Sequence, residues 1–130
     1  MSSEVKIDLI SYDPANDEFV LYLVEDGPWP ENHAAWKTCL LRIQNRVFDA
    51  IDVAVDGNLA SRYPDSLGKR IRVQVDSPQG VPRELSDLIS KVREHIAKDI
   101  VYKAAIAQSP NVRGLRITTG YEMGRFDGMR

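Results

Sequence analysis

Polar and apolar residues alternate without exception from Arg70 to Asp76. A two-residue period predicts a half-buried strand, with Ile71, Val73 and Val75 turned toward helices and Arg70, Arg72 and Gln74 turned away. Glu18 to Asp26 is apolar at both parities, Phe19, Leu21 and Leu23 against Val20, Tyr22 and Val24, which suits an interior strand better than an edge. The short run Ile7 to Ile10 precedes it. Between the two, Asp13-Pro14-Ala15-Asn16-Asp17 is rich in residues that tolerate turn geometry, so the pair is predicted to form a hairpin. Leu115 to Thr119, bounded by Gly114 and Gly120, gives a last strand.

A different period governs His33 to Val55. Trp36, Leu40, Ile43, Val47, Ile51 and Ala54 follow spacings of four, three, four, four and three, and Leu41, Phe48 and Val55 widen the stripe. That is a helix packed on a sheet, with Asn32 as its N-cap. A second helix starts near Pro82, with Glu84 in its first turn and Leu85, Leu88, Ile89, Val92 and Ile96 on one face. Ile100 to Ala107 reads equally as a strand, from its β-branched residues, and as a continuation of that helix through positions 96, 100, 104 and 107.

Between the first helix and the alternating strand lies a long connector. Gly57 can take the left-handed conformation that ends a helix, and Pro64 forces Tyr63 out of helical geometry. Asp65 is placed to bond the backbone two residues on, and Gly68 offers a second permissive position. Two strands, Asp13-Pro14, Trp29 before a long amphipathic helix, then Asp56-Gly57, Tyr63-Pro64-Asp65 and Gly68-Lys69 leading into a strand form an ordered set. In this the chain resembles a family of small bacterial proteins catalogued as a domain of unknown function, with the order strand, strand, helix, strand, helix, strand. The resemblance covers roughly the first three quarters of the chain. It implies a two-layer fold and a bacterial origin, and it carries no catalytic residue onto this sequence.

The expected architecture is therefore α+β: two layers, a mainly antiparallel sheet of four or five strands, and two long helices on one face. With 130 residues, 43% hydrophobic and 28% charged, the chain fits one globular domain, taken as residues 1–123 with a flexible tail at 124–130. A net charge of −2 gives no general attraction to nucleic acid. After residue 109, Arg113, Arg116, Arg125 and Arg130 outnumber Glu122 and Asp127, a solvated tail sooner than a nucleic-acid contact. Met1 to Lys6 lacks the form of a signal peptide and no apolar run approaches membrane-spanning length, so a cytoplasmic protein is expected.

Chemistry is sparse. Cys39 is the single cysteine and lies within the first helix, where a small hydrophobe is the simpler reading than a nucleophile. His33 and His95, the two histidines, fall on separate helices, and Ser86, Asp87 and Ser90 near His95 cannot form a triad from one helix. Trp29 and Trp36 are read as core anchors, and the glycines form no phosphate cradle. No cofactor or metal is called for, and no catalytic activity is expected. Asp49, Asp52 and Asp56 stand out: they recur along the C-terminal half of the first helix, where the helix dipole disfavours negative charge, with Arg42 and Arg46 near enough to offset part of it. They are the candidate binding surface for a protein partner, a basic one matching their charge. The expected function is thus a small binding or accessory protein. Two alternatives stand beside it. One is an enzyme with a site assembled from dispersed groups such as Tyr63, Asp65, Lys69 and His33. The other is a self-associating module, a homodimer through exposed Val20, Tyr22 and Val24.

Overall fold

A computed structural model describes residues 7–78 and 80–120. Strands β1 (Leu9–Asp13) and β2 (Glu18–Val24) are followed by helix α1 (His33–Val55), a short helix α2 (Asn58–Arg62) and one 3-10 turn at Pro64–Ser66. Strand β3 (Lys69–Asp76), helices α3 (Arg83–Lys98) and α4 (Ile100–Gln108) and strand β4 (Val112–Gly120) complete the chain. The fold is α+β, with one four-stranded sheet in the order β1-β2-β3-β4.

The sheet is mixed, which corrects the expectation of a mainly antiparallel one. Only β1 and β2 run antiparallel, joined by the predicted hairpin, while β2 with β3 and β3 with β4 are parallel. The cause is the length of the connections. The 23 residues of α1 span about 35 Å at 1.5 Å per residue, enough to carry the chain back to the end of the sheet where β2 began. A helical crossover of that size returns the next strand in parallel. The same holds for α3 and α4 between β3 and β4.

One hydrophobic cluster joins Phe19, Leu21 and Leu23 of β2 and Ile71, Val73 and Val75 of β3 to the apolar stripes of α1 and α3. Val47, Ile51, Ile71, Val73 and Leu85 have no exposed surface at all. Each such side chain contributes about 1.5–3 kcal/mol by leaving water. Asn32 caps α1 as its sequence position predicts, its Oδ1 accepting from the Ala35 amide at 2.9 Å.

Three local expectations are corrected. The polar parity of β3 is solvated only at Arg70: Arg72 is half-buried, Gln74 is 1% exposed and Asp76 fully buried, with Glu18 and Thr118 of the flanking strands reaching Arg72 and Gln74. Val20 and Tyr22 are likewise buried within the single chain, so the exposed apolar patch on which a homodimer was expected is absent. And the bond to the backbone two residues on, expected at Asp65, is made by Asp56, whose Oδ1 accepts from the Asn58 amide at 2.9 Å. The ambiguous segment at 100–107 is helical; α3 and α4 are separated at Asp99, whose carboxylate accepts from the Val101 and Tyr102 amides and starts a new helix. The tail proposed at 124–130 lies outside the described residues.

Candidate functional site

The heptad geometry of α1 separates its two faces. Val47, Ala50, Ile51 and Ala54 enter the core, so Asp49, Asp52 and Asp56 all come to the exposed side. The last turn of α1 holds no basic residue, and among the described residues no cation pairs with any of the three. Partial burial, then the charges of Asp49 and Asp56, hold the Asp52 carboxyl above its ordinary range. Asp56 is the C-cap and binds Asn58 through both carboxylate oxygens.

The ridge continues onto the joint between α3 and α4. Tyr102 packs on Phe48 of α1 with ring centroids 5.4 Å apart. Its phenol is held above its ordinary pKa by burial first, then by Asp52, Asp99 and Asp49. Asp99 Oδ2 lies 3.4 Å from His95 Nε2. Three carboxylates, Asp52, Asp99 and Asp49, thus act on one phenol. Asp99 was not singled out in the sequence, although an Asp ahead of an apolar helical run is a recognised N-cap signal.

Arg42 and Arg46 do not offset this ridge. Arg42 Nη2 reaches Glu25 Oε1 at 2.7 Å, while Arg46 binds Glu25 at 2.8 Å and Asp8 at 2.6 Å. Both are turned to Glu25, in the segment that follows β2, from positions nearer the N-terminus of α1 than the aspartates. The buried Glu25 carboxylate needed them more than the exposed aspartates did.

The second polar assembly was missed altogether. Glu18 of β2, Arg72, Gln74 and Asp76 of β3, and Arg116 and Thr118 of β4 form a connected chain on one face of the sheet. Arg116 Nε and Nη2 donate to Glu18, each at 2.8 Å. Arg72 Nε is 3.4 Å from Glu18 Oε1, and Arg72 Nη1 donates to Gln74 Oε1 at 3.0 Å. Thr118 also donates to Gln74, whose Nε2 donates to Asp76 at 3.1 Å. The signal was present as matching polar parity on separate strands, but strand pairing is needed to see that the rows align. Most of its polar atoms are engaged by other members, although Arg72 Nε is buried without a hydrogen bond.

The dispersed groups of the enzyme alternative do not converge. Tyr63 lines a cavity of about 610 Å³ with Asn58, Ser61 and Arg62, and among the described residues its walls hold neither Asp65, Lys69 nor His33. Lys69 Nζ is bound by Asp17 at 2.8 Å. His33 opens α1 at the surface, and His95 lies edge-on to Phe48 at 5.9 Å. Cys39 is half-buried and packs against the core; Trp29 and Trp36 are stacked 5.6 Å apart, both half-buried. Arg113 lies 3.9 Å from Asp17 and Arg116 is engaged by Glu18, while Arg125 and Arg130 lie outside the described residues. Among the described residues no group of three or more His, Cys, Asp or Glu is placed to hold a metal ion, and no helix is long and apolar enough to cross a membrane. Comparison with protein-family models, with curated proteins and with solved structures finds no match to this chain.

Proposed function

We propose that this is a small binding or accessory protein that engages a basic protein partner through the ridge of Asp49, Asp52 and Asp56. The observation that carries the proposal is the unpaired state of the ridge. Three exposed carboxylates stand on one helix face with no cation paired to them among the described residues, and the pKa of Asp52 is raised by partial burial first and then by Asp49 and Asp56. A lysine or arginine from a partner would remove that repulsion and meet the negative end of the α1 dipole.

A non-catalytic role is part of the proposal. Its support is that the walls of the Tyr63 cavity among the described residues offer a phenol and a guanidinium but no carboxylate or imidazole to act as base. A bacterial origin, which the family resemblance implies, and a cytoplasmic setting belong to the same proposal.

The test is a titration of the labelled protein with a lysine-rich peptide, followed by amide shifts. Binding should map to the last two turns of α1 and to Asp99, weaken with added salt, and disappear in the variant carrying Asp49→Asn, Asp52→Asn and Asp56→Asn. Equal binding by that variant would assign the ridge to solvent.

A further inference from the structure

We propose that the trough between α3, α4 and β4 receives an acidic amphipathic helix from a partner protein, at a surface separate from the aspartate ridge. The starting point is α4 itself. Of its nine residues only Lys103, Gln108 and the hydroxyl of Tyr102 are polar, yet none of the nine is buried. A helix apolar on all sides belongs in an interior. Here Ile100 and Val101 are 82% and 78% exposed, which leaves an apolar element without a cover.

The trough beside it has a volume of about 430 Å³, within the range of sites that take a ligand or inserted side chains. Its floor is apolar: Ile96 of α3, Ile106 of α4, and Leu115 and Ile117 of β4. Ile96, Ile106 and Leu115 are half-buried against the core and Ile117 is buried, so the floor is firmly backed. Ile100 stands three residues before Lys103 and extends the same side of α4.

Charge decides the occupant. The rim carries Arg93 and Lys103, and neither has a carboxylate partner among the described residues. An occupant with carboxylates beside its apolar stripe would gain from both, whereas a basic one would be repelled. Backbone geometry decides its form. Beside the trough runs β4, the end strand of the sheet among the described residues, and an added strand would need its outward carbonyls. Arg93 Nε already donates to the carbonyl of Ile117 at 2.6 Å. A helix laid in the trough asks nothing of that backbone and leaves the bond intact.

The experiment uses the full chain with three probes: a helix-forming peptide with leucines along one face flanked by glutamates, the same peptide with lysines for glutamates, and laurate. Affinity is read by anisotropy and location by methyl shifts. The glutamate peptide should bind, shift Ile96, Ile106 and Leu115, and weaken as salt is added. Lys103→Glu, an exposed change whose melting temperature should match the parent, should weaken that peptide by about tenfold and strengthen the lysine peptide. Ile100→Asp should also weaken it. Replacing Asp49, Asp52 and Asp56 with Asn should leave it unaffected, which separates this site from the ridge. Equal or tighter binding of the lysine peptide at the trough itself, read from the shifts of Ile96, Ile106 and Leu115 in the chain carrying Asp49→Asn, Asp52→Asn and Asp56→Asn, overturns the proposal. So do shifts confined to another surface, laurate filling the trough where the glutamate peptide does not bind, or light scattering that shows the trough closed in a dimer.

Discussion

Arg116 on β4 grips Glu18 on β2 with both arms of its guanidinium, at 2.8 Å each, although β3 runs between the two strands. Two strand spacings are about 9.6 Å, a distance that suits arginine, whose planar fork also matches a carboxylate in two-point contact. Arg72 lies beneath, its Nε 3.4 Å from the same carboxylate. A carboxylate 3% exposed is thereby held between two cations, and the three parallel-linked strands are tied across their polar face.

Glu18→Gln keeps the shape and removes the charge that Arg72 and Arg116 share. Its expected cost is on the order of 3 kcal/mol in urea unfolding. The Glu18→Gln, Arg116→Gln double variant should lose clearly less than the sum of its single changes, since the second change relieves the repulsion that the first creates. Strict additivity would show that the two side chains are not coupled in solution.

That face shows where the sequence stops being legible. The alternation at Ile71, Val73 and Val75 names the core side of β3, and the stripe from Trp36 to Ala54 names the core side of α1, because each depends on a period within one element. The opposite parity, Arg72 and Gln74, looks solvent-facing in isolation. Its shielding comes from Glu18 on β2 and Thr118 on β4, which reach across to it, and which strands stand beside β3 is a long-range property. The parallel pairing was missed for the same reason, although the length of α1 was itself the clue. The break at Asp99 was a local event, and its capping signal was hidden by the apolar continuity of positions 96, 100 and 104. Of the candidate sites, the aspartate ridge was visible as spacing along one helix; the trough needed α3, α4 and β4 to be brought together.

Acid should unfold the protein partly through Glu25. Burial would raise its pKa, but hydrogen bonds from Arg42 and Arg46 outweigh that and hold it below its ordinary value of 4.5. A folded pKa below the unfolded one gives stability that is full above the ordinary glutamate range and is lost as pH falls through the folded value. Glu25→Gln should therefore lower stability at neutral pH and flatten its decline in acid. Arg46→Gln should cost more than Arg42→Gln, because the Arg46 side chain is 16% exposed and that of Arg42 58%. Chemical unfolding across a pH series checks both.

Asp52 has the opposite sign. Its folded pKa is raised by partial burial and by Asp49 and Asp56, so the folded state binds its proton more tightly and stability falls as pH rises from the ordinary value of 3.8 through the raised one. Asp52→Asn should then be more stable than the parent at neutral pH, with the gain vanishing below the ordinary aspartate range and shrinking in high salt. No gain at neutral pH would mean that the ridge is already neutralised.

Gly57 links the connector to the far end of the chain, and its replacement gives the sharpest test of the fold. Its φ of +98° ends α1 in a conformation open to glycine, and a Cβ placed there would lie 3.2 Å from Asn111 Nδ2 and 3.3 Å from Oδ1. That amide is not idle. Its Nδ2 donates to the Val55 carbonyl at 3.0 Å, alongside Ser109 Oγ at 2.7 Å, and so satisfies the last turn of α1. The Asn111 carbonyl accepts from Gly68 at 3.0 Å, fastening the connector to the entry of β4. Gly57→Ala should therefore cost about 1–2 kcal/mol for the left-handed backbone, with a further loss of about 1 kcal/mol as Asn111 is pushed from its carbonyl. Asn111→Ala alone should cost only the second part. In the double variant the Cβ meets no amide, so the total should fall short of the sum by the steric share. Equal costs for Gly57→Ala with and without Asn111 would place the whole effect in the backbone and remove the contact between these two residues.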